Sequence, residues 1–299
     1  MGGLSSVAGP AYGGWVRLSG SLAAVPRARP ADHLCWVHGD DAAFDDAVRT
    51  FLSGGLARGE RLLCVGERVI DSIRGEPAPF TDVDRLVAEG TLGLMTLAEA
   101  YAATGEFRAE RQFEFYDAAT RRAVAEGYAG LRVVAELSGL AANPLRRDEL
   151  LRWEHLADRY MAAGLGMSAL CAYRRDLPAE ALADVASAHP AAYAPPGLPQ
   201  FRVFFEDDRV VLTGSVDLSD AARLARLLAD SPPSPVVRLD LSRLEFVDVA
   251  GCRAIARWAG ALWAGDVRVE VCGPSRLFRR VWHVLALDAV ARVTFVEPA

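Results

Sequence analysis

Arg61-Leu62-Leu63-Cys64-Val65 and Leu131-Arg132-Val133-Val134-Ala135 decide how the first part of this 299-residue chain folds. Both are short and almost wholly apolar, without the polar–apolar alternation of a half-exposed strand. Such runs are strands covered on both faces. Leu34–Val37, Leu92–Met95 and Met167–Tyr173 have the same character. Between them lie stretches with helical spacing. Asp40 to Leu56 carries Phe44, Ala47, Val48, Phe51 and Leu52 at intervals of three and four, and further helices are expected from about Phe115 to Glu126 and from Arg147 to Ala163. Gly54-Gly55 and Gly59 are expected to mark the exit of the first helix, where the backbone turns left-handed. Strands alternating with helices predict an α/β domain with a parallel sheet between helical layers.

Composition narrows the chemistry. The chain holds 33 basic and 39 acidic residues, a net charge of −6, which disfavours nucleic-acid binding through a basic surface. No apolar run reaches the ~20 residues of a membrane-spanning helix, so no membrane partner is expected. All 33 basic residues are arginine. The absence of lysine excludes a Gly-Lys-Thr phosphate loop, a Schiff-base lysine and a pyridoxal-phosphate lysine. Cys35, Cys64, Cys171, Cys252 and Cys272 are odd in number, scattered, and free of any C-x-x-C pair. They read as reduced, buried thiols of a cytoplasmic protein, and no cofactor is expected.

Residues 1–30 are rich in Gly, Ala, Ser and Pro without a period and are expected to form a poorly ordered tail. Four prolines and a glycine between His189 and Pro199 predict a stiff linker over 191–199, dividing a first domain, 31–190, from a second, 200–299.

Ligands of open parallel sheets gather beyond the C-terminal strand ends. In the first domain that places His38, Glu67, Glu136 and Tyr173 as candidate binding residues. His33 and Cys35, two apart in one strand, share a face, with Trp36 on the other. A metal site from His33, Cys35 and His38 has the right residue types at a weak spacing. Cys35 as a nucleophile with His33 or His38 as base is the enzymatic alternative, although such constellations normally join distant loops. No catalytic or metal-binding residue is assigned. Trp153 is read as core, His155 and His189 as surface or linker residues.

His33-Leu34-Cys35-Trp36-Val37, Phe51-Leu52-Ser53-Gly54-Gly55-Leu56-Ala57-Arg58-Gly59-Glu60-Arg61 and Leu170-Cys171-Ala172-Tyr173 together resemble the MEDS domain, a sensory domain of methanogen and methylotroph signalling proteins. The Gly-Leu-x-x-Gly-Glu segment also resembles RecA-like ATPases, implying a degenerate RecA-like fold. That fold's phosphate loop is replaced by His38-Gly39-Asp40-Asp41-Ala42-Ala43-Phe44, with two carboxylates where a triphosphate requires a cation and open amides. The MEDS resemblance implies sensing of a small organic ligand, with His33 and Cys35 as contacts.

In the second domain, Phe201 to Gly214 predicts a hairpin turning at Asp207-Asp208, followed by an amphipathic helix from Ala221 to Leu228 that Asp217 or Ser219 can cap. Thr213-Gly214-Ser215-Val216-Asp217-Leu218, Arg238-Leu239-Asp240-Leu241-Ser242, Phe246-Val247-Asp248 with Gly251, and Val284-Leu285-Ala286-Leu287-Asp288 resemble a STAS domain of the anti-sigma factor antagonists. The family's loop reads Asp-Ser-Ser/Thr-Gly, and the hydroxyl before the glycine takes a phosphate. Here Ala250 holds that position. The resemblance implies docking on an anti-sigma factor or another STAS-binding regulator through Asp217, Asp248, Val249, Ala250 and Gly251. The expectation is a non-enzymatic signalling protein, possible as a homo-oligomer; the alternative is a silent scaffold subunit of a multi-STAS assembly.

Overall fold

The computed structural model describes residues 17–24, 29–75, 82–104, 107–229 and 234–297. In the first domain β1 (Gly20–Ser21), β2 (His33–His38), β3 (Arg61–Val65), β4 (Leu92–Met95), β5 (Leu131–Glu136), β6 (Met167–Arg174) and β7 (Ala191–Tyr193) form one sheet. Its order is β1-β7-β2-β6-β5-β3-β4, and every neighbouring pair is parallel. The connections are α1 (Asp41–Leu56), α2 (Glu67–Arg74), α3 (Val83–Ala88), α4 (Leu97–Thr104), α5 (Ala109–Ala125), α6 (Ser138–Ala141), α7 (Pro144–Ala162) and α8 (Ala179–Ser187). One sheet face, with Leu34, Trp36, Cys64, Val134 and Leu170, packs with Phe44 and Phe51 of α1 and Val69 and Ile73 of α2. The other, with Cys35, Val37, Val133, Cys171 and Tyr173, packs with residues of α5, α7 and α8. Covering on both sides is the reason the central strands are apolar throughout.

Three expectations need correction. The described part of the expected tail is tied down: Gly20–Ser21 pairs with Ala191–Ala192, and the buried Asp32 carboxylate accepts the amides of Leu18 and Arg29. The rest of 1–30 lies outside the described residues. The expected linker opens with a strand, because Pro190 precedes β7 and its missing N–H is not needed in the ladder; Ala191 and Ala192 are buried against β2. Gly54 and Gly55 lie in the last turn of α1 and are still helical, not left-handed. A Cβ on Gly55 would sit 2.6 Å from Cδ of Arg132, so glycine there serves a close approach. Gly59, at φ +70°, does take the left-handed turn.

The second domain begins with the hairpin of β8 (Phe201–Glu206) and β9 (Arg209–Val216), turning at Asp207 with φ 52°. β9 joins β10 (Val236–Asp240), β11 (Leu244–Val247), β12 (Arg268–Cys272) and β13 (Val293–Val296) in the order β11-β9-β10-β12-β13, all parallel. α9 (Ala221–Ala229), α10 (Val249–Ala264) and α11 (Arg276–Val284) complete the domain. Among the described residues no helix is long and apolar enough to cross a membrane.

The two domains share one apolar core. α7 packs on β8, with the His155 ring 4.5 Å from that of Phe205. Asp184 of α8 binds Arg223 at 2.8 Å and Arg226 at 2.9 Å, both on α9.

Candidate functional site

The sheet gathers polar side chains in two places. The first is the interior of the α7 side. β2 enters the sheet at His33, in register with Ala169 of β6, so that Cys35 stands opposite Cys171. Tyr173 projects from the same face two residues on. α7 crosses above them and, one turn apart, presents Glu154 and Asp158. His189 arrives after the end of α8, its ring centroid 4.1 Å from that of His33. All of these side chains are buried.

Glu154 is the hub. Its Oε2 lies 3.1 Å from Nε2 of His33, 3.4 Å from Nε2 of His189 and 3.4 Å from Sγ of Cys171; its Oε1 accepts the Tyr173 hydroxyl at 2.5 Å. Nδ1 of His33 meets Oδ1 of Asp158 at 3.2 Å, and Nδ1 of His189 donates to the carbonyl of Val185 at 2.7 Å. Arg17 closes on the same Asp158 oxygen. Burial works against the charge on Glu154, yet the imidazoles of His189 and His33 hold its pKa well below the usual carboxylate range. Burial likewise opposes a charged His33, but Asp158 and Glu154 raise its pKa above the ordinary value. Burial and the Glu154 charge push the Cys35 and Cys171 thiols far up. A narrow cavity of about 30 Å³ opens beside His33, Glu154 and Cys171, walled by apolar side chains including Tyr116, Trp153 and Phe107.

The second place is the C-terminal end of the sheet. An open polar pocket of about 680 Å³ is lined by His38, Gly39, Asp41, Arg68, Glu136, Arg174, Arg175 and Asp176. Nε2 of His38 is 4.0 Å from Glu136, whose carboxylate takes the amide and hydroxyl of Ser138. The α1 N-terminus is already served, since the Asp40 carboxylate accepts the Ala43 amide at 2.8 Å. Arg68 is paired with Asp41 and Asp45.

The six first-domain candidates therefore divide. His33, Cys35 and Tyr173 meet inside, His38 and Glu136 meet at the strand ends, and Glu67 is exposed at the start of α2. The trio His33, Cys35 and His38 is not brought together: strand alternation turns His38 to the opposite face, against Phe44 at 4.4 Å. A nucleophilic Cys35 is opposed by its raised pKa, because the thiolate is the reactive form. His155 and His189, read as surface residues, are both buried. His155 lies on the apolar side of α7 facing the second domain, where burial lowers its pKa to about 4.

In the second domain Asp248 caps α10, its Oδ1 accepting the Gly251 amide at 2.9 Å. Val249 is exposed, Ala250 is half-buried in the first turn, and a Cβ on Gly251 would stand 2.6 Å from Cγ2 of Val247. Asp217 is exposed and bonds the amide and hydroxyl of Ser219, closing a turn rather than capping α9. Leu218, Phe246, Val249 and Leu277 are exposed apolar side chains of this domain.

The family model for the methanogen/methylotroph, DcmR sensory domain (MEDS) matches residues 32–190. The chain belongs to the MEDS family. Residues 200–296 match the family model described as Mlab, STAS domain. No curated protein matches the chain. A MEDS sensory domain joined to a STAS domain makes this a signalling or regulatory protein.

Within the MEDS domain, Glu154, Asp158, Cys171 and His189 escaped sequence reasoning as site residues. A signal for the first two was present: two carboxylates four apart on the apolar side of a helix, among Leu150, Leu151, Ala157 and Met161, must find buried partners. His189 carried no such signal, since it follows α8 beside a proline.

Proposed function

We propose that the MEDS domain receives a small-molecule signal and that the STAS domain answers by docking on an anti-sigma factor, without catalysis and without a phosphorylation switch at position 250. The observation that carries this reading is Ala250 itself. It occupies the first turn of α10 beside the Asp248 cap and the exposed Val249, where the family's acceptor hydroxyl would stand. A phosphate there would add about −1.5 to −2 charges to the docking loop; a methyl group cannot take one. Exposed Leu218, Phe246 and Leu277 supply apolar contact area for a partner. Regulation then falls to the MEDS domain, which holds β8 through Asp158 and α9 through Asp184.

Calorimetry of the full chain against the ATP-binding anti-sigma factors of its own cell tests the reading. Saturable binding that survives incubation with ATP and the anti-sigma kinase supports it. No binding to any of them, with or without small-molecule extracts of the same cells, refutes it.

A further inference from the structure

We infer that His33, Glu154, Cys171 and His189 form a binding site for one divalent transition-metal cation of the zinc class. One donor atom from each residue lies within 4.8 Å of all the others, and all four side chains are buried. Four of the six donor separations lie close to those of a tetrahedral cage, and none exceeds 4.8 Å. Metal–nitrogen and metal–oxygen bonds of about 2.0–2.2 Å and a metal–sulfur bond of about 2.3 Å require donors about 3.3–3.6 Å apart. The structure gives 3.1 Å from Nε2 of His33 to Oε2 of Glu154 and 3.4 Å from Nε2 of His189 to that oxygen. Sγ of Cys171 lies 3.4 Å from the same oxygen and 3.6 Å from Nε2 of His33.

The surrounding hydrogen bonds point the same way. The Val185 carbonyl can only accept, so Nδ1 of His189 carries a proton. The Asp158 carboxylate, paired with Arg17, places the proton of His33 on Nδ1 as well. With those protons on Nδ1, Nε2 of each ring faces the Glu154 carboxylate, and Nε2 of His189 is buried with no hydrogen bond of its own. Lone pairs facing a carboxylate repel unless a cation lies between them. Protons fill that role at both rings by making two imidazolium groups whose centroids are 4.1 Å apart in the interior, which is costly. A single divalent cation fills it with both rings neutral. Metal-bound histidines are oriented in this manner, by a carboxylate or a backbone carbonyl on the far nitrogen. The Tyr173 hydroxyl fixes the remaining Glu154 oxygen.

Charge also closes. The cation displaces the Cys171 thiol proton, and any Nε2 proton present, to solvent. A dication with one thiolate and one carboxylate is neutral, and Asp158 is balanced separately by Arg17. A donor set of two imidazoles, a thiolate and a carboxylate suits zinc and excludes calcium and magnesium, which take all-oxygen shells. This site is independent of the anti-sigma reading.

The test uses the full chain, produced with zinc in the medium, and the same protein unfolded, stripped and refolded with cobalt(II). The expected results are one zinc per chain by elemental mass spectrometry and, for the cobalt form, intense tetrahedral visible bands with a near-ultraviolet thiolate-to-cobalt charge-transfer band. Cys171→Ala should lose the charge-transfer band and Cys35→Ala should keep it. Metal below a tenth of an equivalent in both preparations overturns the site. So does a wild-type cobalt spectrum without the thiolate band, which decides the matter even if Cys171→Ala does not fold.

Discussion

The carboxylate of Asp158, in the MEDS domain, accepts the backbone amide of Phe205, in the STAS domain, at 2.7 Å. The other oxygen of that carboxylate faces Nδ1 of His33 and the guanidinium of Arg17, and Arg17 in turn donates to the Phe205 carbonyl at 2.7 Å. One buried side chain thus ties the interior polar cluster to the first strand of the STAS domain. A change in how His33 is held reaches β8 through a single residue.

Asp158→Ala leaves the Arg17 guanidinium and the Phe205 amide without their buried partner. Breaking a buried pair in this way costs about 3–5 kcal/mol. Equilibrium denaturation should show that loss. Hydrogen exchange should show the Phe205 amide losing protection by more than the global change explains. Equal loss everywhere would mean the junction is not held at this point.

Gly55→Ala addresses the α1–β5 contact. The added Cβ would meet Cδ of Arg132 at 2.6 Å and Cδ2 of Leu62 at 2.8 Å. Arg132 is fully buried, bonded to Glu60 at 2.5 Å and lying over the Phe51 ring at 4.5 Å, so it has little room to move. Overpacking of this kind costs about 1–3 kcal/mol, to be read as a lowered denaturation midpoint at unchanged slope. Gly54→Ala, with nothing nearer than 3.8 Å, should be tolerated.

Acid stability should report His38. Burial, and then the Arg68 charge, lower its pKa to about 4 from an ordinary 6.5, while Asp41 opposes them. The unfolded chain therefore binds this proton first as pH falls. Stability is complete above about pH 6.5 and declines through pH 4. The decline amounts to about 2–3 kcal/mol for a shift of this size. Glu136, 4.0 Å away, has a pKa raised by burial and works against the trend. Comparison of His38→Asn with the parent chain isolates the histidine: the variant should lose stability less steeply between pH 6.5 and 4. An identical slope would show that His38 does not contribute.

Much of this architecture is written in local pattern. Leu34–Val37 and Leu131–Ala135 are apolar on both sides because helices cover both sides, and that pattern is readable without coordinates. The hairpin at Asp207 and the α10 cap at Asp248 are equally local, resting on turn and capping chemistry. The interior cluster is not local. His33, Glu154, Cys171 and His189 come from β2, α7, β6 and the turn after α8, and meet only because β6 and β7 flank β2 while α7 crosses over them. Nothing in the spacing of His189 announces that it turns inward. Gly55 misled for a related reason: its need is set by Arg132, some eighty positions away, not by the helix that contains it.

The absent hydroxyl at position 250 gives a prediction in which stability and binding move apart. Position 250 is the second residue of α10, after the Asp248 cap and Val249. A carboxylate in a first helical turn interacts favourably with the helix dipole, by about 0.3–1 kcal/mol. Ala250→Asp should therefore leave the denaturation midpoint unchanged or slightly raised. The same charge would stand beside exposed Val249 in the loop proposed to meet the anti-sigma factor, where an unpaired carboxylate must be desolvated. Calorimetry should show affinity falling at least tenfold for Ala250→Asp and hardly changing for Ala250→Ser, whose hydroxyl is small and neutral. Ala250→Ser should in addition become a substrate for the anti-sigma kinase, with phosphate incorporation and loss of binding rising together. Full affinity in Ala250→Asp would place the docking surface away from the α10 N-terminus.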